Sequence, residues 1–366
     1  MPHWRDRCMR RRPMNAPDRS RLLASEDRLF TQADFVLQSG VVLPVATLGY
    51  QTFGRLSPAR DNVIVYPTSY SARHGDVSWL IEAGVLDASR WFIVVMDLLG
   101  NGISTSPSHG PLRYRDADGG EKRGFPLVTY YDNVELQRRL LAQVFGIERI
   151  ALVYGWSMGG MTAYHWAAAH PEMVERIAAV CATARCSTHN RMFIEGVRAA
   201  LQADADCIDG WFDGPGLRGL EAMARVYASW CMSQDWYRER GWLQGGYGSL
   251  DDFLQRSWID WYRARDPNDL LAQFATWHAG DIGAHARFGG STEVALHSIR
   301  AKVLLMPGET DLYFRVEDNR HEAALLADAT LAPIPSFWGH RAGNPKQGGA
   351  DLEFVRGQVH ALLAGR

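Results

Sequence analysis

The 366-residue sequence predicts an α/β protein, a mostly parallel central sheet flanked by helices and interrupted by a helical insertion. Three observations predict it. Short apolar runs at residues 63–66, 91–96, 150–154 and 302–306 each suit a strand buried on both faces and each ends in a turn. The run Ile150-Ala151-Leu152-Val153-Tyr154 leads directly into Gly155-Trp156-Ser157-Met158-Gly159-Gly160, and residues 161–170 then read as a helix stopped by Pro171. Residues 186–292 have a different texture, rich in tryptophan and helical in period.

The glycine-flanked serine between a strand and a helix fits a nucleophile elbow. A serine hydroxyl is a weak nucleophile, so the turn must lift it clear of the sheet, beside a base and an oxyanion site. Gly155 and Gly159 leave room for a strained turn. Ser157 opens the following helix, and the backbone N–H of Met158 is then aimed at the oxygen that turns negative during acyl transfer. A chance Gly-Ser-rich turn is the alternative, and the strand and helix around it argue for the elbow.

Composition narrows the class. At 46% hydrophobic the chain can bury a large core, and its length fits a core with a sizeable insertion. A formal net charge of −2 gives no reason to invoke nucleic acid or a membrane as partner. Cys8, Cys181, Cys186, Cys207 and Cys231 are odd in number and lack paired spacing, which fits reduced thiols in the cytoplasm better than disulfides or zinc. No H-E-x-x-H or clustered Cys/His spacing implies a metal.

Taken in order, residues 1–30 form a basic tail with Arg10-Arg11-Arg12, expected to be disordered, and the α/β core is expected at 31–185 and 293–366. Alternation from Phe35 through Val41-Val42-Leu43 and on to Tyr50 reads as a hairpin opening the sheet. The loop Pro67-Thr68-Ser69-Tyr70-Ser71 follows a strand's carboxyl end, where ligands bind in an open parallel sheet, and the N–H of Ser69 is the candidate second oxyanion donor. An ordinary strand-to-helix turn is the competing reading. The run Gly100-Asn101-Gly102 with Ser104-Thr105-Ser106 lacks the lysine of a P-loop and the spacing of a dinucleotide site. A helix is expected over residues 132–141, with Asp132 or Asn133 as its cap.

Phe125-Pro126, then Asp132, Val134, Gln137 and Leu140, then Gly155-x-Ser157-Met158-Gly159-Gly160-Met161, resemble the homoserine O-acetyltransferase family of the α/β-hydrolase superfamily. Leu99-Gly100 and the 193–204 segment are similar to it as well, and the resemblance runs from about Val41 to the C-terminus. It implies the α/β-hydrolase fold and an acyl-enzyme on Ser157 that passes its acyl group to a hydroxyl acceptor, with a downstream aspartate and histidine completing a triad.

Those partners also follow from position. Asp311 stands just past the carboxyl end of the 302–306 strand, and His340 lies in a loop after an expected last strand at 330–334. The order Ser157, Asp311, His340 is that of α/β-hydrolases. His321 and His360 fall in helical patterns, and Glu309 is the near competitor for the acid.

Residues 186–292 are expected to form a helical lid, with helices near 222–231 and 270–278 and a flexible break at Gly245-Gly246-Tyr247-Gly248. The resemblance implies that Arg198 holds the acceptor's carboxylate, for which a guanidinium fork is suited; a surface ion pair is the alternative. Two residues depart from the family. Arg341 follows His340 where an aspartate is usual, and a cation there repels homoserine's ammonium group; Trp156 replaces a glycine before the nucleophile. Trp156, Arg198 and Arg341 are therefore the expected substrate-binding residues.

Three functions remain open. An acyltransferase with acetyl-CoA or another acyl donor as co-substrate comes first, its acceptor a hydroxyl compound other than homoserine, with homoserine itself the less favoured acceptor. A hydrolase of esters with water as acceptor is second, and a non-catalytic binding protein third. No bound cofactor is implied. The expected partners are a small-molecule donor and acceptor, with a homodimer open.

Overall fold

The computed structural model describes residues 26–116 and 118–365. Its strands are β1 (Arg28–Val36), β2 (Val42–Phe53), β3 (Val63–Pro67), β4 (Phe92–Met96), β5 (Leu112–Arg115), β6 (Glu121–Gly124), β7 (Leu152–Trp156), β8 (Arg176–Val180), β9 (Cys207–Ile208), β10 (Trp211–Phe212), β11 (Lys302–Met306) and β12 (Ala329–Leu331). Eight of them form one sheet in the order β1-β2-β4-β3-β7-β8-β11-β12. From β4 to β12 all neighbours run parallel, whereas the β1–β2 hairpin is antiparallel and joins β4 antiparallel. The sheet's central strands are buried on both faces, which is why their sequences read as unbroken apolar runs. On the hairpin, Phe30, Phe35, Leu43 and Leu48 face inward while Leu29, Val36, Val42 and Val45 are exposed.

The basic tail expected at residues 1–30 lies outside the described residues as far as residue 25. Its boundary at 30 falls inside β1, where buried Phe30 pairs with Leu48, because apolar alternation begins earlier than Phe35. The expected last strand is also shorter. β12 ends at Leu331, and Ile334 makes only a single bridge to Gly308.

The helix expected at 132–141 begins a turn earlier, spanning Tyr130–Leu140. Thr129, rather than Asp132 or Asn133, is its cap. The Asp132 N–H donates to Thr129 Oγ1 at 3.2 Å, and the Asp132 carboxylate accepts from the Thr129 N–H at 2.7 Å, a reciprocal box that satisfies two otherwise orphaned donors. Asp132 also accepts from the Gln38 N–H, tying this helix to the hairpin.

Between β8 and β11 the chain makes a helical excursion. Its main helices are Thr188–Gln202, Leu217–Cys231 and Pro267–His278. The two ends meet: Arg185 bridges Asp281, the Cys186 N–H donates to Gly280 O at 2.7 Å, and the Ile282 N–H donates to Ala184 O at 3.0 Å. The paired return thus comes near Asp281, ahead of residue 292. Trp236, Trp258 and Trp277 are buried within the excursion, and Tyr227 packs on Tyr262 with centroids 5.8 Å apart. Such pairs contribute roughly 0.5–1.5 kcal/mol each beyond the area they bury. The 245–248 run is a turn between the helices Gly241–Gln244 and Leu250–Leu254.

Candidate active site

Ser157 directly follows β7 and opens the helix Met158–Ala169 with φ 58° and ψ −127°, a conformation nearly reserved for glycine. The neighbours make this turn feasible. A Cβ on Gly155 would collide with the carbonyl of Gly159, and one on Gly159 with that of Pro67, so strand and helix approach closely only because both are glycine. The Ser157 N–H is anchored to Val180 O at 2.9 Å. The strained serine is thereby held at the carboxyl edge of the sheet, lining a cavity of about 330 Å³.

His340 lines the same cavity and is buried. Its Nδ1 lies 2.7 Å from Asp311 Oδ2. The other carboxylate oxygen of Asp311 accepts from the N–H groups of Tyr313 at 2.8 Å and Phe314 at 3.3 Å. With Nδ1 directed at the carboxylate, Nε2 is the ring nitrogen left for the cavity. Rings enclose the imidazole: Tyr313 edge-on at 4.8 Å, Phe314 at 5.4 Å and Trp156 stacked at 5.0 Å. The sulfur of Cys181 is the unexpected neighbour, within 4.8 Å of a ligand-type atom on both Asp311 and His340. Burial pushes its thiol well up, which keeps it a neutral packing group beside the carboxylate.

The two candidate oxyanion donors come from different segments, Met158 from the helix after Ser157 and Ser69 from the loop after β3. Met158 follows Ser157 in the first helical turn, so its N–H has no intrahelical acceptor. Ser69 lines the cavity, and its loop is braced: the Ala72 N–H donates to Ser69 O at 3.1 Å, the Ser71 N–H to Gln273 Oε1 at 2.7 Å, and Trp261 Nε1 to Ser71 Oγ at 3.0 Å. Gln273 and Trp261 belong to the inserted segment, so that segment shapes the loop as well as covering it.

The three expected substrate residues part company. Trp156 and Arg341 both line the cavity. Trp156 Nε1 donates to the backbone carbonyl of His340 at 3.2 Å, while Arg341 Nη2 donates to Ser257 Oγ at 2.9 Å with its guanidinium 5.2 Å from the Trp258 ring centre. Arg198 is not brought to that cavity. Its helix turns Phe193, Ile194, Val197 and Leu201 inward, and the half-buried Arg198 pairs with Glu195 at 3.0 Å. The remaining wall is aromatic and phenolic, with Tyr70, Tyr227 and Tyr262. Burial raises all three phenols, so they stay protonated. Lys346 and Asp76 sit among the lining residues too, neither of them signalled by a sequence motif.

A serine in a nucleophile elbow, with a carboxylate-held histidine in the same cavity at the carboxyl edge of a parallel sheet, defines an enzyme of the α/β-hydrolase class. Comparison with known proteins agrees. The α/β hydrolase fold family matches residues 73–214. The chain is 32% identical over 310 residues to an ethyl acetate hydrolase of Pseudomonas veronii, covering 83% of this chain and 86% of that one. It is 30% identical to a homoserine O-acetyltransferase of Leifsonia xyli subsp. xyli, covering 84% and 83%. The solved structure of the acetyl esterase MekB superposes with a TM-score of 0.84 at 29% identity, covering 93% of this chain and 97% of that one. The chain belongs to the α/β-hydrolase family, in a branch that holds both named esterases and homoserine O-acetyltransferases. Among the described residues, no helix is long and apolar enough to cross a membrane.

Proposed function

We propose that the protein is a serine esterase that cleaves short-chain carboxylic esters through an acyl-Ser157 intermediate, with water as the final acceptor. Ser157 Oγ attacks the ester carbonyl carbon while its proton passes to His340 Nε2. The oxyanion is held by the N–H groups of Met158 and Ser69, and collapse expels the alcohol, which takes the proton from His340. Water then attacks the acyl carbon, His340 again accepting and returning the proton, and the carboxylic acid leaves.

One observation carries hydrolysis over transfer to an amino-acid acceptor. The cavity contains Arg341 and not Arg198, so it presents a cation beside His340 where an ammonium-bearing acceptor would need an anion. The names of the Pseudomonas hydrolase and of MekB support the same reading. Transfer to a hydroxyl compound without an ammonium group is the second reading, favoured by the aromatic wall, which resembles a lid able to hold water away. Single-turnover acylation with an aryl acetate decides between them. Acyl-Ser157 that decays in buffer as fast as steady-state turnover supports the esterase. Acyl-enzyme that persists until a hydroxyl acceptor is added overturns it.

A further inference from the structure

The catalytic cavity carries more positive charge than its own carboxylates answer. Three cations line it, Arg256, Arg341 and Lys346. Arg256 lies outside the account, because its guanidinium is forked onto both oxygens of Asp252. Arg341 donates to the neutral hydroxyl of Ser257, and Lys346 Nζ donates to the backbone carbonyl of Asp76 at 3.1 Å. Among the described residues neither of these two forms an ion pair with a carboxylate. The one lining carboxylate, Asp76, is already occupied by Arg265 at 3.1 Å and by the Arg73 N–H at 2.9 Å. Asp311 is spent on His340 and two backbone donors.

Uncompensated cations on a protein surface are ordinary. Here Arg341 is half-buried, adjoins the catalytic histidine in sequence and is braced by Ser257 and Trp258, so its fork is held in place rather than swinging in solvent. A fixed guanidinium with open donors, and an ammonium lining the same cavity, form a receptor for a carboxylate or a phosphate. We propose that the preferred substrates are esters bearing a second, anionic group, a carboxylate or phosphate, which Arg341 and Lys346 hold while the ester carbonyl lies at Ser157. This rests on the esterase reading for the identity of the reacting bond. The anion can belong to the acyl half, as in a half-ester of a dicarboxylic acid, or to the alcohol half.

Matched ester pairs test it through acylation, the step that precedes any choice between water and another acceptor. The acyl arm compares mono(4-nitrophenyl) adipate with its methyl ester; the alcohol arm compares 4-acetoxybenzoate with methyl 4-acetoxybenzoate. The quantity read is the acylation kcat/KM of the anionic member divided by that of the neutral member. In the wild type this ratio should exceed one in at least one arm and should fall with added salt. In Arg341→Gln it should drop on the order of tenfold or more, the worth of one charge-assisted hydrogen bond. Lys346→Gln should lower it in the same arm by a smaller factor. Wild-type ratios at or below one in both arms overturn the proposal even if Arg341→Gln does not fold, and so does a ratio that neither substitution moves. Failure of the esterase reading looks different: release of the first product in a single burst, without turnover in buffer, for the anionic and neutral members alike.

Discussion

The Trp156 indole is joined to His340 twice. Nε1 donates to the histidine's own carbonyl at 3.2 Å, and the ring stacks on the imidazole with centroids 5.0 Å and planes 30° apart. Trp156 therefore positions the loop that carries His340. Trp156→Phe keeps an aromatic face and loses the hydrogen bond, and should lower kcat about five- to tenfold, the worth of one such bond. Trp156→Gly loses both and should cost about 10²-fold. Fluorophosphonate labelling of Ser157 should slow in parallel. Labelling at the wild-type rate in Trp156→Gly would show that the contact is packing alone.

The proposed nucleophile and base make the second test. Ser157→Ala should abolish fluorophosphonate labelling with the fold intact by circular dichroism. His340→Ala should lower kcat by at least about 10³-fold. Asp311→Asn should cost a similar factor, because an amide no longer fixes the proton on His340 Nδ1. Activity within tenfold of wild type in His340→Ala would assign the base elsewhere.

The backbone at Ser157 makes the third. A φ of 58° in a non-glycine residue stores roughly 1–3 kcal/mol, so Ser157→Gly should be more stable than Ser157→Ala by about 1 kcal/mol or more. Chemical denaturation of the two inactive variants measures the difference without interference from catalysis. Equal midpoints would mean that the elbow is unstrained.

Titration of buried groups sets the fourth. Glu322 accepts from the Tyr164 hydroxyl at 2.6 Å and the Ala184 N–H at 2.7 Å, yet burial outweighs these bonds and raises its carboxyl to about 7 from 4.5. Across that window the folded protein holds a proton that the unfolded chain has released, so stability is greatest below 4.5 and is lost as the pH rises towards 7. His165 works in the opposite sense. Burial lowers it from 6.5 to about 4, so its contribution is lost as the pH falls through that range. Glu322→Gln should therefore gain on the wild type in melting temperature between pH 5 and pH 8. A constant difference across that range would show that Glu322 does not titrate there.

Much of this architecture was legible because its signals are local. The central strands are contiguous apolar runs, the elbow is six consecutive residues, and Asp311 and His340 each follow a strand at the sheet's carboxyl edge. The misses arise where meaning depends on partners far along the chain. Thr129 caps its helix through a reciprocal bond that the neighbouring tyrosines disguise in sequence. Arg198 and Arg341 carry the same side chain, and only the packing of the helix Thr188–Gln202 decides which one reaches the cavity. Cys181 has φ 46° and its sulfur lies within 4.8 Å of an Asp311 carboxylate oxygen, a placement no spacing rule encodes.

The meeting of Arg185 with Asp281 has a consequence for how substrate range can change in this scaffold. A segment of roughly ninety-five residues departs and returns through one pair of neighbouring backbone positions, so the sheet does not register its length. That makes it a cassette. Segments of different size and lining can be spliced at the same two points while Ser157, on the turn between a sheet strand and its own helix, keeps its place. The exceptions are the Ser69 loop, braced by Gln273 and Trp261, and the loop that carries His340, where Ser233 donates to the Phe337 carbonyl and Arg341 donates to Ser257; any transplanted segment must reproduce both braces.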